Sequence, residues 1–148
     1  MATVQTILDQ KIPRVLISIS PDATTLEALQ MMEKHDVGAI VVMHENKLVG
    51  LITEREYARK VILKGKASRD TPVSETMIDK LLVVSKEMTT RDCMHLMTEK
   101  RIRYLPVMNG DEFIGIISIG DVLKAVMEDQ EANIEHLERY ITSSEYGM

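Results

Sequence analysis

The chain has 148 residues, 45% of them hydrophobic and 28% charged, with a formal net charge of −5. That length fits one domain, or two small units sharing a core, because a unit of about 60 residues buries too little surface to be comfortable alone. The acidic balance and the scarcity of aromatics (one Phe, four Tyr, no Trp) argue against a dedicated nucleic-acid binder, which needs a basic field or stacking platforms.

In chain order, Met1 to Gln10 shows no basic start followed by an apolar run, so no signal peptide is expected. No stretch approaches ~20 apolar residues, and the cytoplasm is the default location. Val4–Leu8 reads as a short helical lead-in, within a segment 1–15. The apolar run Leu16–Ile19 predicts a strand. Thr24-Thr25-Leu26-Glu27 then resembles a capping box, a Thr three residues before a carboxylate, opening a helix with Leu26, Leu29, Met32 and Val37 on one face. Ala39–Met43 predicts a second strand, His44–Lys47 a turn, and Leu48–Ile52 a third strand. A second helix starts at Thr53.

The polar stretch 64–72, which holds Gly65 and Pro72, predicts a linker. Beyond it the same order returns. Val73–Met77 is a short helical lead-in, Leu81–Val84 a strand, and Thr89 to Asp92 another cap, followed by Cys93, Met94, Met97 and Ile102 on the helix. Tyr104–Met108 and Phe113–Ile117 are strands around the turn Asn109–Glu112, and a helix starts at Ser118. The pattern stays helical through Met127, Ile134, Leu137 and Ile141. This end either extends the last helix, to cap the core or meet a partner, or frays.

A shift of 65 positions lays residues 16–62 on 81–127 without a gap. Ten pairs are then identical, among them Thr24/Thr89, Met32/Met97, Val42/Val107, Gly50/Gly115 and Ile52/Ile117. Such self-similarity is the mark of a repeat. The expected organisation is a lead-in 1–15, copy one 16–63, linker 64–72, copy two 73–130 and a helical tail 131–148. Each copy is strand–helix–strand–strand–helix, an α/β fold of two pseudo-symmetric repeats packed through their sheets.

This order of elements resembles the CBS domain, and two copies resemble the CBS pair, or Bateman module. Arg103-Tyr104-Leu105-Pro106-Val107 is similar to the family's strand signature. Gly115-Ile116-Ile117-Ser118-Ile119-Gly120-Asp121 is similar to its nucleotide motif. In copy one the counterpart is Gly50-Leu51-Ile52-Thr53-Glu54-Arg55-Glu56, with Glu56 in place of Asp, and Gly38-Ala39 stands where copy two has Arg103-Tyr104. The resemblance implies a regulatory sensor of energy or redox state that binds an adenine nucleotide: AMP first, with ADP, ATP, NAD(H) or S-adenosylmethionine in the same class. It also implies a homodimer and an unidentified regulated partner.

The residues suit that chemistry. Ser118 sits where a strand becomes a helix, and the free N–H groups there favour an anion. Asp121, one turn on, is placed to accept hydrogen bonds from ribose hydroxyls. Thr53 and Glu56 are the copy-one equivalents. A plain helix cap explains the same Ser/Thr-x-x-Asp/Glu pattern, and both readings stay open. The resemblance places backbone groups beside Tyr104 at the base edge and counts Pro106 with the binding set; Gly38 and Ala39 are the counterparts of Arg103 and Tyr104. It also lets Arg55, with Arg103, reach phosphates held mainly by copy two. Lys66 and Ser68 either close over a phosphate or belong to a solvated linker, and Arg59 and Lys60 read as a charged helix face. Copy two carries the fuller set.

No metal-ligand spacing links His35, His44, His95 and His136. No nucleophile–base pair is visible, so no enzyme is expected. Cys93 falls on an apolar helix face and reads as a buried thiol. The abundant Met residues read as core fillers. The alternatives to a sensor are a constitutive dimerisation or interaction module without a ligand, and an RNA-binding CBS protein.

Overall fold

The local rules of the two copies are the same, and so are their elements. A computed structural model describes residues 1–11 and 16–146, so residues 12–15 of the lead-in and 147–148 of the tail lie outside the described residues. The chain runs α1 (Val4–Gln10), β1 (Ser18–Ile19), α2 (Thr25–His35), β2 (Ala39–His44), β3 (Lys47–Thr53) and α3 (Glu54–Lys60). After a 3-10 turn at Ile62–Lys64 come α4 (Val73–Thr76), β4 (Val84–Ser85), α5 (Thr90–Lys100), β5 (Tyr104–Asn109), β6 (Glu112–Ser118) and α6 (Ile119–Tyr146).

The caps form as their residue types require. The Thr24 hydroxyl accepts from Glu27 N at 3.1 Å, and the Glu27 carboxylate accepts from Thr24 N at 3.0 Å. The Thr89 hydroxyl accepts from Asp92 N at 3.1 Å. Each cap supports its helix by about 1 kcal/mol. Both helices end on a left-handed residue, Asp36 (φ 53°) and Arg101 (φ 55°). The buried faces are Thr25, Ala28 and Met32 on α2, and Thr90, Cys93 and Met97 on α5. Burial and the neighbouring Asp92 push the Cys93 thiol up to about 11, so it stays protonated and inert at neutral pH.

Each copy builds a three-stranded sheet. β1 pairs parallel with β2 and β2 antiparallel with β3; β4, β5 and β6 repeat the arrangement. Both hairpins carry a register irregularity at the same place, Val42/Met43 and Val107/Met108. The first strand of each copy is shorter than its apolar run: Leu16, Leu82 and Val83 are exposed. In copy two the ladder starts one step later, at Val84↔Val107. Pro106, which has no N–H to donate, stands where Val41 pairs with Ser18 in copy one.

The sheets meet through Ala39, Val41 and Leu51, packed against Tyr104, Phe113 and Ile116. This is the α/β fold of two sheet-packed repeats expected from the sequence. Among the described residues no helix is long and apolar enough to cross a membrane.

The short helices do not pack on the copy each precedes. Val4, Ile7 and Leu8 of α1 lie in the copy-two core with Val84, Cys93, Met97, Leu105 and Ile117. Val73 of α4 lies in the copy-one core with Ile19, Ala28, Met32 and Ile52. The backbone bonds repeat the exchange: Val4 N to Met88 O (2.9 Å) and Thr90 N to Ala2 O (3.0 Å), against Val73 N to Ala23 O (2.8 Å) and Thr25 N to Thr71 O (2.8 Å). The identical pair Gly50/Gly115 marks where the guests press in. A Cβ on Gly115 would lie 2.8 Å from Leu8 Cδ2, and one on Gly50 would meet the Met77 sulfur. Buried Thr25 is satisfied by the same exchange, bonding Thr71 O and Thr76 Oγ1, each at 2.9 Å.

Removing a buried side chain of this size costs about 2–5 kcal/mol, several times a cap. Leu8→Ala is therefore expected to strip amide-exchange protection from β5 and β6 before β2 and β3, and Val73→Ala, a smaller truncation, to do the reverse. Hydrogen exchange read by mass spectrometry separates these patterns from the loss of each helix's sequence neighbour.

Candidate functional site

Two strand-to-helix junctions carry the site motifs. At the copy-one junction the Thr53 hydroxyl accepts from Glu56 N at 3.1 Å, and Glu54 N donates to Gly38 O at 3.1 Å. Glu56 pairs with Lys60 at 3.2 Å, and Lys60 Nζ also donates to Met77 O at 3.2 Å. At the copy-two junction Ser118 Oγ accepts from Asp121 N (3.1 Å) while the Asp121 carboxylate accepts from Ser118 N (2.9 Å). That carboxylate also holds Lys11 at 2.7 Å, and Lys11 Nζ donates to Ile116 O at 3.1 Å. Both motifs therefore cap their helices, and the Asp121 carboxylate has an internal cation as well.

A cavity of about 250 Å³ opens at the copy-one junction. Copy one contributes Gly38, Thr53, Arg55 and Glu56. Arg103 and Tyr104 of copy two lean in from across the molecule, and Leu51, Ile78 and Ile102 supply apolar walls. Ile78 is held there because its backbone pairs with Leu51, N–H to carbonyl in both directions (2.8 and 2.9 Å). Ser118 and Asp121 are not among the lining residues. The structure thus brings Thr53, Arg55 and Glu56 together with Arg103 and Tyr104, and leaves the copy-two motif apart from them.

Gly38 is what lets Tyr104 approach. A Cβ at Gly38 would sit 2.5 Å from the Tyr104 hydroxyl oxygen, so a larger residue would push the ring out. Burial and the nearby Glu54 raise the pKa of Tyr104, opposed by Arg103, so the phenol remains a hydrogen-bond donor at neutral pH.

Besides Ser118 and Asp121, four sequence candidates fall elsewhere. Ala39 is in the inter-sheet core, paired with Thr53. Pro106 is buried in β5 opposite Ile116. Ser68 Oγ donates to the Tyr57 hydroxyl at 3.1 Å, and Lys66 lies 4.0 Å from Glu75. The linker packs along its own repeat, and neither residue lines the cavity.

The sequence reading missed Glu54, Ile78 and Ile102. Ile102 was assigned to the α5 stripe, and nothing local marks the other two as cavity walls. It also left Arg101 unassigned. Arg101 and Arg59 join Arg55 and Arg103 along a groove of about 690 Å³ beside the cavity. Two arginines one helical turn apart, and an Arg-x-Arg across Ile102, were the available signal. Among the described residues no cluster of three or more His, Cys, Asp or Glu is placed to hold a metal ion.

Comparison with known proteins agrees with this architecture. The sequence model of the CBS domain matches residues 12–62 and 73–128. The chain is 34% identical over 124 residues to the CBS domain-containing protein YhcV of Bacillus subtilis, covering 80% of this chain and 88% of that one. It is 40% identical over 125 residues to the CBS domain-containing protein CBSX3, mitochondrial, of Arabidopsis thaliana, covering 81% of this chain but only 61% of the plant protein. A solved protein with CBS domains from Burkholderia ambifaria superposes with a TM-score of 0.83 at 40% identity, covering 87% of this chain and 96% of its own. The CBS model covers both repeats, and a relative matched over most of its own length carries the same domain: this chain belongs to the CBS domain family.

Proposed function

We propose that the chain is a non-catalytic regulatory module that binds an adenine nucleotide in the cleft at the copy-one junction. The observation that carries the reading is the shared cavity, in which the Thr53–Glu56 motif of one repeat faces Arg103 and Tyr104 of the other. Ile78, Ile102 and the Tyr104 ring offer apolar faces to a flat base. The Glu56 carboxylate offers an acceptor to ribose hydroxyls once it turns from Lys60. The arginines Arg55 and Arg103 supply positive charge for phosphate. Because both repeats line the cleft, a ligand there fixes their mutual disposition. It shifts the population of shapes only as far as it binds one shape better than another. A partner then reads the shape.

The test is calorimetry and thermal shift with AMP, ADP, ATP, NAD(H) and S-adenosylmethionine. A ligand at a hundred times its Kd stabilises by about 2.7 kcal/mol, a rise in Tm of several degrees for a chain of this size. Glu56→Ala and Tyr104→Ala are expected to weaken binding about tenfold or more, and Asp121→Ala to have a smaller effect. If no compound in the panel binds at millimolar concentration, the sensor reading fails.

A second reading, self-association, has its own observation. α6 exposes Leu123, Met127, Ile134, Leu137 and Ile141. Met127, Ile134 and Ile141 are seven residues apart, with Leu123 and Leu137 on the alternate positions, the spacing of a coiled-coil seam. The helix has 28 residues, about 42 Å at 1.5 Å per residue. A second copy laid along it would bury the stripe and give the homodimer. Sedimentation equilibrium is expected to show a dimer for the wild type and a monomer for Ile134→Glu/Leu137→Glu; a dimer in both would place the interface elsewhere.

A further inference from the structure

The groove beside the cleft gathers positive charge that no carboxylate among the described residues pairs with. Four of the chain's eight arginines, Arg55, Arg59, Arg101 and Arg103, line it, and no carboxylate residue does. Among the described residues none of the four is in an ion pair, although the chain as a whole carries an excess of acid. The fold arranges the cluster from two sides. Arg55 and Arg59 are one turn apart on α3 and so share a face. Arg101 and Arg103 flank Ile102 in the short connection from α5 to β5. Arg101 does so from a left-handed conformation at the end of α5, uncommon for a side chain of this kind. Its carbonyl accepts from Arg55 Nη1 at 3.3 Å, which ties the two sides together.

Like charges gathered along one groove repel one another, even where water and salt weaken the effect, and an anion entering the groove relieves it. The size of the anion follows from charge and room. A monophosphate carries at most two negative charges, which matches half of the cluster. The cavity, at about 250 Å³, lies below the ~300–1,000 Å³ usual for small-molecule clefts. It has room for a base and ribose, with the phosphate chain directed outward. The groove shares Arg55, Ile102 and Arg103 with that cavity and continues from it with about 690 Å³.

We infer that this groove is a polyphosphate site, and that the ligand class of the chain is a nucleoside triphosphate rather than the monophosphate that the family resemblance puts first. The inference rests on the reading of the adjoining cleft as a base-and-ribose pocket. Arg55 and Arg103 bridge cleft and groove, and Arg59 and Arg101 select for chain length by taking the distal phosphates in charge-assisted hydrogen bonds.

The experiment is calorimetry of AMP, ADP, ATP and inorganic tripolyphosphate at fixed ionic strength, on wild type, Arg59→Gln/Arg101→Gln and Glu56→Ala. Both arginines are exposed, and a thermal melt verifies the fold of each variant. The expected result is an affinity rising from AMP to ATP by about tenfold or more. The double arginine variant is expected to lose most of that gain, with AMP changed by no more than about twofold. Tripolyphosphate is expected to bind wild type and Glu56→Ala, but not the arginine variant. If AMP and ATP bind alike, or the arginine variant weakens both equally, the groove inference is overturned while the cleft reading stands. If tripolyphosphate binds through the arginines and no nucleotide binds better, the groove stands and the cleft reading falls. A single-stranded RNA that binds more tightly than ATP and displaces it would overturn the nucleotide assignment.

Discussion

The exchange of α1 and α4 between the two cores is the constraint on which the rest of the structure depends. Neither repeat closes its core with its own lead-in: Val4, Ile7 and Leu8 complete copy two, and Val73 completes copy one. Each fully buried aliphatic side chain contributes about 1.5–3 kcal/mol, which exceeds any cap in the chain. The exchange therefore makes each core depend on a segment that precedes the other copy, and small units of this size gain from that support. It also builds the site. The chain leaving α4 must pass the edge of β3, and Ile78 is fixed there by two backbone bonds to Leu51. On the opposite side the chain leaving α1 brings Lys11 to Asp121 and Ile116.

From this frame comes the difference between two junctions that share one architecture. At the copy-one junction the facing residues are large and polar, Arg103 and Tyr104, and Gly38 makes room for the ring. At the copy-two junction the equivalents of those facing residues are Gly38 and Ala39, and the carboxylate already has a cation in Lys11. Two of the groove arginines have no cationic counterpart in the other copy. Arg55 of copy one has Gly120 as its counterpart, and Arg103 has Gly38. Arg55, Arg59, Arg101 and Arg103 consequently gather beside the copy-one cleft.

Much of this was legible in the sequence. The gapless repeat gave the elements and their order, and the Thr-x-x-acid pairs gave the helix starts, because periodicity and caps are local properties. The partners of α1 and α4 were not legible. Val4-to-Leu8 and Val73-to-Met77 are both short apolar segments that precede a copy, and no local property says which core receives them. Leu16, Leu82 and Val83 were read as strand from composition, whereas pairing is limited to the two residues that find a partner. Ser118, Asp121, Arg103 and Pro106 looked like one set because both motifs that resemble the family's fall in copy two. The fold instead sends Arg103 across to Thr53 and Glu56, and buries Pro106 in the middle of its sheet. Arg59 and Arg101 looked like ordinary surface charge, since it is their convergence, not their local setting, that sets them apart.

The most direct measurement of the central claim is an amide NMR titration with ATP. If the ligand sits across the copies at the copy-one junction, the largest shifts fall together on Gly38, Thr53 to Glu56, Ile78 and Arg101 to Tyr104. Shifts centred on Lys11 and Ser118 to Asp121, with the copy-one junction silent, would contradict the account.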